Sequence, residues 1–288
     1  MIDSKCSICY EPVIFWTKKG AYSIFECPTC GFGQVLPKLT LADIHVLYDQ
    51  SGHDSQEVKR KNVELPDVLN KEKEYPNSTI DAKNIFQTCL SISRSPLKSL
   101  LDIGAGYGFF SHEFLKQGFK VDAIEMAANE GKIFKELNGF EPYNCAFEEY
   151  KTDKLYSHIL MSQILEHVID PEDWIKRANA LLEKEGLLII ALPNFGSIFK
   201  KVMHEKEPFI IPPYHLNYFT KKSLSQLLER NGFDIIEYKT ISRLPFKKIF
   251  SKFPTPVVSV LTILGNIVLK VIDFLSMGAI INVYARKK

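Results

Sequence analysis

Between residues 97 and 238 short apolar runs alternate with stretches of helical spacing. The runs fall near 98–103, 120–124, 141–144, 156–161 and 187–192. Apolar positions three and four apart mark helices near 107–117, 127–138, 171–183 and 221–231. Strands separated by helices predict an α/β fold with a mostly parallel sheet. Upstream, Thr79 to Ile92 reads as an amphipathic helix, set off from the first core strand by Pro96, and Leu41 to Tyr48 has helical periodicity. The polar run from Asp49 to Asn77 reads as a solvated connector or lid. Downstream, Pro256 to Leu275 is apolar or glycine except at Ser259, Thr262, Asn266, Lys270 and Asp273, whose steps of 3, 4, 4 and 3 draw one narrow polar stripe along a helix. A closing strand follows at Ala279 to Ala285.

These patterns divide the chain into a cysteine module (1–38), a helical linker or lid (39–96), a core (97–242), an amphipathic helical insert (243–276) and a closing strand (277–288). In the first segment Cys6, Cys9, Cys27 and Cys30 make C-x2-C-x17-C-x2-C, inside the spacing window of a zinc ribbon. Each pair can sit on a tight turn with both thiolates facing one ion, and Gly31 and Gly33 supply permissive backbone. The strands between, Val13 to Trp16 and Tyr22 to Glu26, form a hairpin too small to fold unaided, so a structural zinc would supply folding energy. Four thiolates close the site, which is therefore assigned no catalysis.

The core opens on LLDIGAGYGFF, Leu100 to Phe110. A buried strand ends in Asp102, and a turn follows through Gly104, Ala105, Gly106, Tyr107 and Gly108. Glycines there let a ligand approach the backbone closely. The third glycine of the dinucleotide pattern G-x-G-x-x-G would fall on Phe109, so the spacing is instead acid-x-G-x-G-x-G. A second acid, Glu125, ends the next strand, about 20 residues on, where a carboxylate suits a ribose diol. This combination resembles class I S-adenosylmethionine-dependent methyltransferases, a Rossmann-like fold with helices on both faces of the sheet. The stretches SHILMSQILEHVIDPEDWIKRANALLEKEGLLIIALPNFGS and YHLNYFTKKSLSQLLERNGF resemble the subfamily of ubiquinone-biosynthesis O-methyltransferases and sugar C- and O-methyltransferases. The resemblance implies S-adenosylmethionine as methyl donor, held by the glycine turn, Glu125 and Met126. It puts the adenine near Ala146 and Phe147 and the methionine portion near Gln163. Phe147 reads equally as core packing.

Methyl transfer needs donor and acceptor held in near-attack geometry, and a base where the acceptor is a hydroxyl or carbon acid. His215, in PPYHLNYF, and His167, after Glu166, are the two well-placed histidines. Tyr214 could orient an acceptor. His167 also reads as a backbone-bonded structural residue, and His215 as a lid residue. Some quinone-pathway relatives bind a divalent metal through E-x-x-E-H. Here Gln163 takes the first acid position, and a neutral amide is a poorer ligand for a hard cation. Ile211–Pro212–Pro213–Tyr214 resembles the N/D-P-P-Y motif of amino-group methyltransferases but lacks its Asn/Asp and follows the wrong strand.

The chain of 288 residues is 45% apolar and 24% charged, ordinary for a globular protein. It opens MIDSKCSIC, without a basic and apolar leader, and its paired cysteines suit a reducing compartment, so the expected location is cytoplasmic. A net charge of only +2 argues against a dedicated nucleic-acid binder. From Thr220 onward, however, 12 basic face 4 acidic side chains, a balance of +8, leaving −6 upstream. With Arg243, Lys247, Lys248 and Lys252 before the apolar helix, residues 243–275 read as a segment meeting an anionic membrane surface. A homodimer interface and a helix covering the sheet stay open. The expected acceptor is a small molecule, a nucleotide-linked sugar or glycan precursor first and a polyprenyl quinone intermediate next. RNA methylation and a non-catalytic scaffold are the alternatives.

Overall fold

The computed structural model describes residues 5–40, 43 and 63–288. A four-stranded sheet, ordered β1-β2-β3-β8, joins β1 (Ile14–Lys19), β2 (Tyr22–Glu26) and β3 (Gly33–Leu36) to β8 (Asn217–Tyr218). A six-stranded sheet follows the order β5-β4-β6-β7-β10-β9. It comprises β4 (Ser99–Ile103), β5 (Lys120–Ile124), β6 (Tyr156–Ser162), β7 (Leu182–Pro193), β9 (Phe233–Ile241) and β10 (Ile280–Lys287). β4 pairs in parallel with β5 on one side and β6 on the other, so the strand order reverses there. Ligands of open α/β sheets bind at such a switch point, outside the carboxyl ends of the strands.

The helices are α1 (Leu65–Glu74), α2 (Asn77–Ile92), α3 (Phe109–Lys116), α4 (Ala128–Asn138), α5 (Pro171–Leu181), α6 (Ile198–Met203), α7 (Lys221–Arg230), α8 (Phe246–Ile249) and α9 (Thr255–Phe274). Local chemistry sets their ends. Asp170 accepts from the backbone N–H groups of Glu172 and Asp173 to start α5 beside Pro171, and Gly139, at φ +82°, ends α4. β6 is buried almost throughout, as a central parallel strand must be.

The chain forms two compact units. One holds residues 37–190, 227–236 and 284–288, and the other residues 1–36, 191–226 and 237–283. In the first, Leu100, Leu101, Ile103, Ile159, Leu160 and Met161 are fully buried, and Phe86, Phe114 and Phe119 meet edge to face at 5.0–5.9 Å. In the second, Ile24, Val35, Phe195, Ile210 and Tyr218 form the core behind the cysteine module. That hairpin is not free-standing, since β3 pairs with β8.

Two expectations change. Residues 141–144 form no strand: Tyr143 makes one isolated bridge to Ile124, because Pro142 lacks an N–H and the Asn144 side chain turns to bond Glu125 O and Met126 O. The polar run up to Asn77 contains α1, started by Pro66 and a reciprocal Glu64–Asp67 cap. The helix expected over Leu41 to Tyr48 lies outside the described residues except for Asp43.

Candidate active site and cysteine cluster

The glycine turn is fastened to β5. Gly104 N and Ala105 N both donate to Ile124 O, at 2.9 and 3.0 Å. Gly104, Gly106 and Gly108 have φ of +68°, +54° and +84°, the left-handed region that other residues enter at a cost. Their surroundings differ. A Cβ on Gly104 would lie 2.1 Å from Ile164 Cδ1, and one on Gly108 2.3 Å from Asn138 Nδ2. A Cβ on Gly106 would meet nothing within 4 Å. Two glycines are therefore needed for packing, while the middle one faces open space that a ligand can fill.

Glu125 draws this turn together. Its Oε2 accepts from Gly106 N at 2.7 Å and its Oε1 from Ala127 N at 2.8 Å. Burial raises its pKa against the pull of those N–H groups. Each oxygen keeps a second lone pair for a hydroxyl donor. Met126 is exposed at the rim, and Asn144, unremarked in the sequence, pins the Glu125–Met126 backbone. Tyr107 and Ala146 are half-buried in the same unit.

Asp102 and Phe147 are both buried. Asp102 is only 1% exposed and accepts from Ser111 Oγ at 2.7 Å, tying the end of β4 to the first turn of α3. Burial outweighs that bond and lifts its carboxyl to about 6. Its bond to Ser111 braces the turn. Phe147 is buried, its ring 5.0 Å from that of Trp174 and under the Arg177 guanidinium, so its side chain packs the core.

Beyond β6 the chain turns through Gln163, at φ +58°, to Ile164, Leu165, Glu166 and His167. His167 N donates to Ile164 O, closing the turn. Glu166 is buried and neither carboxylate oxygen has a hydrogen-bond partner. Burial pushes its carboxyl up to about 8, against a weaker pull from its own backbone N–H. His167 Nε2 lies 4.0 Å from Glu166 Oε1, with part of its ring exposed. In the sequence Glu166 stood only as the penultimate member of an E-x-x-E-H comparison. Gln163 puts an amide where the divalent-metal pattern has its first acid.

Tyr214 and His215 belong to the other unit. His215 is buried, with Nδ1 2.7 Å from Phe209 O, so one nitrogen is committed to holding the ring.

The cysteine cluster lies in that same unit. The four Sγ atoms of Cys6, Cys9, Cys27 and Cys30 fall within 4.8 Å of one another. Cys6–Cys30, Cys9–Cys27 and Cys9–Cys30 are 3.6, 3.3 and 3.5 Å apart. Tetrahedral zinc with Zn–S near 2.3 Å sets sulfurs about 3.8 Å apart, whereas a disulfide needs about 2 Å. The residues fit the ion. The two C-x-x-C turns match: each is followed by a left-handed residue, Tyr10 at φ +64° and Gly31 at φ +73°. The buried Gln34 amide holds Ser7 N and Lys5 O, Thr220 Oγ1 donates to Cys30 O, and Lys222 Nζ donates to Thr29 O.

Sheet order, switch point, glycine turn and the acid on the adjacent strand together define a methyltransferase of the Rossmann-like class. The chain belongs to the methyltransferase domain family, whose family model matches residues 59–238. It is 30% identical over 168 residues to the ubiquinone biosynthesis O-methyltransferase of Pelagibacter ubique, covering 50% of this chain and 70% of that one. The enzyme of the same name from Rickettsia prowazekii is 28% identical over 100 residues, 33% of this chain and 40% of its own length. In structure the chain is similar to the 1,6-didemethyltoxoflavin-N1-methyltransferase of Burkholderia thailandensis bound to S-adenosylhomocysteine, with TM-score 0.52, 15% identity, and 94% and 98% of the two chains covered. The protein is an enzyme that uses S-adenosylmethionine as methyl donor.

Proposed function

We propose that the enzyme methylates a hydroxyl of a small ring acceptor, with a polyprenyl quinone precursor favoured over the nucleotide-linked sugar first expected. The two sequence relatives described above are O-methyltransferases of ubiquinone biosynthesis by name, and neither carries a sugar in its name. The observation that carries the reading is Glu166, buried with no hydrogen bond to either carboxylate oxygen and 4.0 Å from His167 Nε2. S-adenosylmethionine supplies the electrophilic methyl group. The Gly104–Gly108 turn and Glu125 hold it, Gly106 leaving the room, and Asp102 braces the turn through Ser111. His167 takes the proton of the acceptor hydroxyl. Glu166, once ionised, stabilises the imidazolium so formed, as a buried carboxylate does for a catalytic histidine.

The cysteine cluster is assigned a structural zinc held by Cys6, Cys9, Cys27 and Cys30, with no part in the chemistry.

The test is release of S-adenosylhomocysteine from S-adenosylmethionine with a short-chain prenylated catechol or with a nucleotide sugar. Turnover of the catechol, lowered about a hundredfold or more in His167→Ala, supports the assignment. Turnover of the nucleotide sugar alone refutes the acceptor, and an unimpaired His167→Ala refutes the base.

A further inference from the structure

We propose that α9 docks the enzyme on an anionic lipid bilayer, lying in the plane of the surface rather than crossing it. Its polarity is inverted relative to a helix that borders water. Val257, Val260, Ile263, Leu264, Ile267, Val268, Val271 and Phe274 are all exposed, the last to 87%. At 100° per residue these eight fall within an arc of about 140° that holds no polar residue. Leu269, on the opposite side, is the one buried residue of the helix. Thr262 and Asp273, from the polar stripe, are turned towards the protein, not the solvent-facing arc.

The charges near this face select the partner. From Tyr238 to the C-terminus Asp273 is the single acid in the sequence. It is turned inward: Oδ2 accepts from Ser242 N at 3.0 Å and Oδ1 from Ser242 Oγ at 2.7 Å. Arg243, Lys248, Lys252 and Lys270 are exposed. Ile249 and Phe253 extend the exposed apolar surface beside the lysines. An apolar face rimmed only by cations complements acyl chains beneath anionic headgroups.

The helix is long enough to span, with 20 residues rising about 30 Å. Its attachment argues for the plane. The Asp273–Ser242 bonds hold the end of β9 beside the last turn of α9. Between them α8 packs halfway along, where Gly265 leaves room for the Phe246 ring: a Cβ there would come within 2.5 Å of it. The middle and the end of α9 are thus fastened to the protein, and the face opposite Leu269 is left to meet the lipid.

The test uses the full-length protein with sucrose-loaded vesicles of phosphatidylcholine, alone or with 30% phosphatidylglycerol. The expected result is sedimentation with the anionic vesicles, at least tenfold stronger than with neutral ones and weakened by 0.5 M salt. Removing Lys248 and Lys252 (K248Q/K252Q) should weaken partition roughly 30-fold, at about fivefold for each charge. Placing acids on the face (I263E/I267E) should abolish it while leaving S-adenosylmethionine binding and the melting curve intact. Tryptophan at position 267 (I267W) should shift its emission to the blue on adding anionic vesicles. Folded, donor-binding protein that ignores both vesicles overturns the proposal, as does equal binding to both. A dimer in sedimentation that I263E/I267E converts to monomer would assign the face to self-association instead. None of these outcomes depends on which acceptor is methylated.

Discussion

Replacing Glu166 by glutamine tests the buried carboxyl directly. The unfolded chain carries it near its ordinary value of 4.5 and the folded chain near 8, so the native state binds the extra proton between those limits. A carboxyl raised by folding contributes stability that is whole below 4.5 and is lost as pH rises through 8. From those values the contribution falls by about 4 kcal/mol between pH 5 and pH 8.5. Glu166→Gln keeps the shape and fixes the neutral state. The variant should match the parent at pH 5 and exceed it by about 4 kcal/mol at pH 8.5, roughly 10 °C in melting temperature for a chain of this size. Asp102, Glu125 and Glu207 are also raised by burial and slope the same way, but they cancel in the difference between the two proteins. Urea titrations at both pH values provide the measurement. A stability difference that stays flat with pH would mean that Glu166 is ionised or hydrogen-bonded in the folded protein.

The glycine turn offers a pair with opposite outcomes. Gly106→Ala should cost about 1 kcal/mol of stability for its φ, yet weaken S-adenosylmethionine at least tenfold in titration calorimetry. Gly104→Ala, meeting Ile164, should cost about 1–3 kcal/mol and report mainly in the melt. Glu125→Ala strips acceptors from Gly106 N and Ala127 N and should weaken the donor about 10- to 100-fold. Prolonged chelation, or Cys9→Ser, should remove one equivalent of zinc by elemental analysis and lower the melting temperature by roughly 5 °C or more. An unchanged melt in metal-free protein would deny the cluster its structural role.

The parallel core was readable because its strands are buried on both faces and leave unbroken apolar runs, as in Ile159–Met161 and Leu187–Leu192. The glycine turn and its acid neighbours were readable because three glycines and two acids at fixed spacing have few other uses. Residues 141–144 misled because Tyr143 is apolar between polar neighbours, while the decisive bonds come from the Asn144 side chain to backbone carbonyls. α1 was hidden by its composition: six of the ten residues from Leu65 to Glu74 are charged or amide, and only Val68 is buried. Phe147 could not be assigned from spacing alone, since adenine and Trp174 ask the same of an aromatic ring. The state of Glu166 was out of reach, because an unpartnered carboxyl is defined by what surrounds it in three dimensions.

The pairing of β3 with β8 also orders events during synthesis. About 180 residues separate Leu36 from Asn217, so the cysteine hairpin leaves the ribosome long before the strand that completes its sheet exists. At 5–20 residues per second the interval lasts roughly 10–40 s. Throughout it the edge of β3 offers unpaired N–H and C=O groups to any passing strand. Early capture of a metal ion by Cys6, Cys9, Cys27 and Cys30 would fix the two turns while that edge waits, and would keep four thiols from wrong pairings. The time of greatest need for zinc is then the birth of the chain, not its working life.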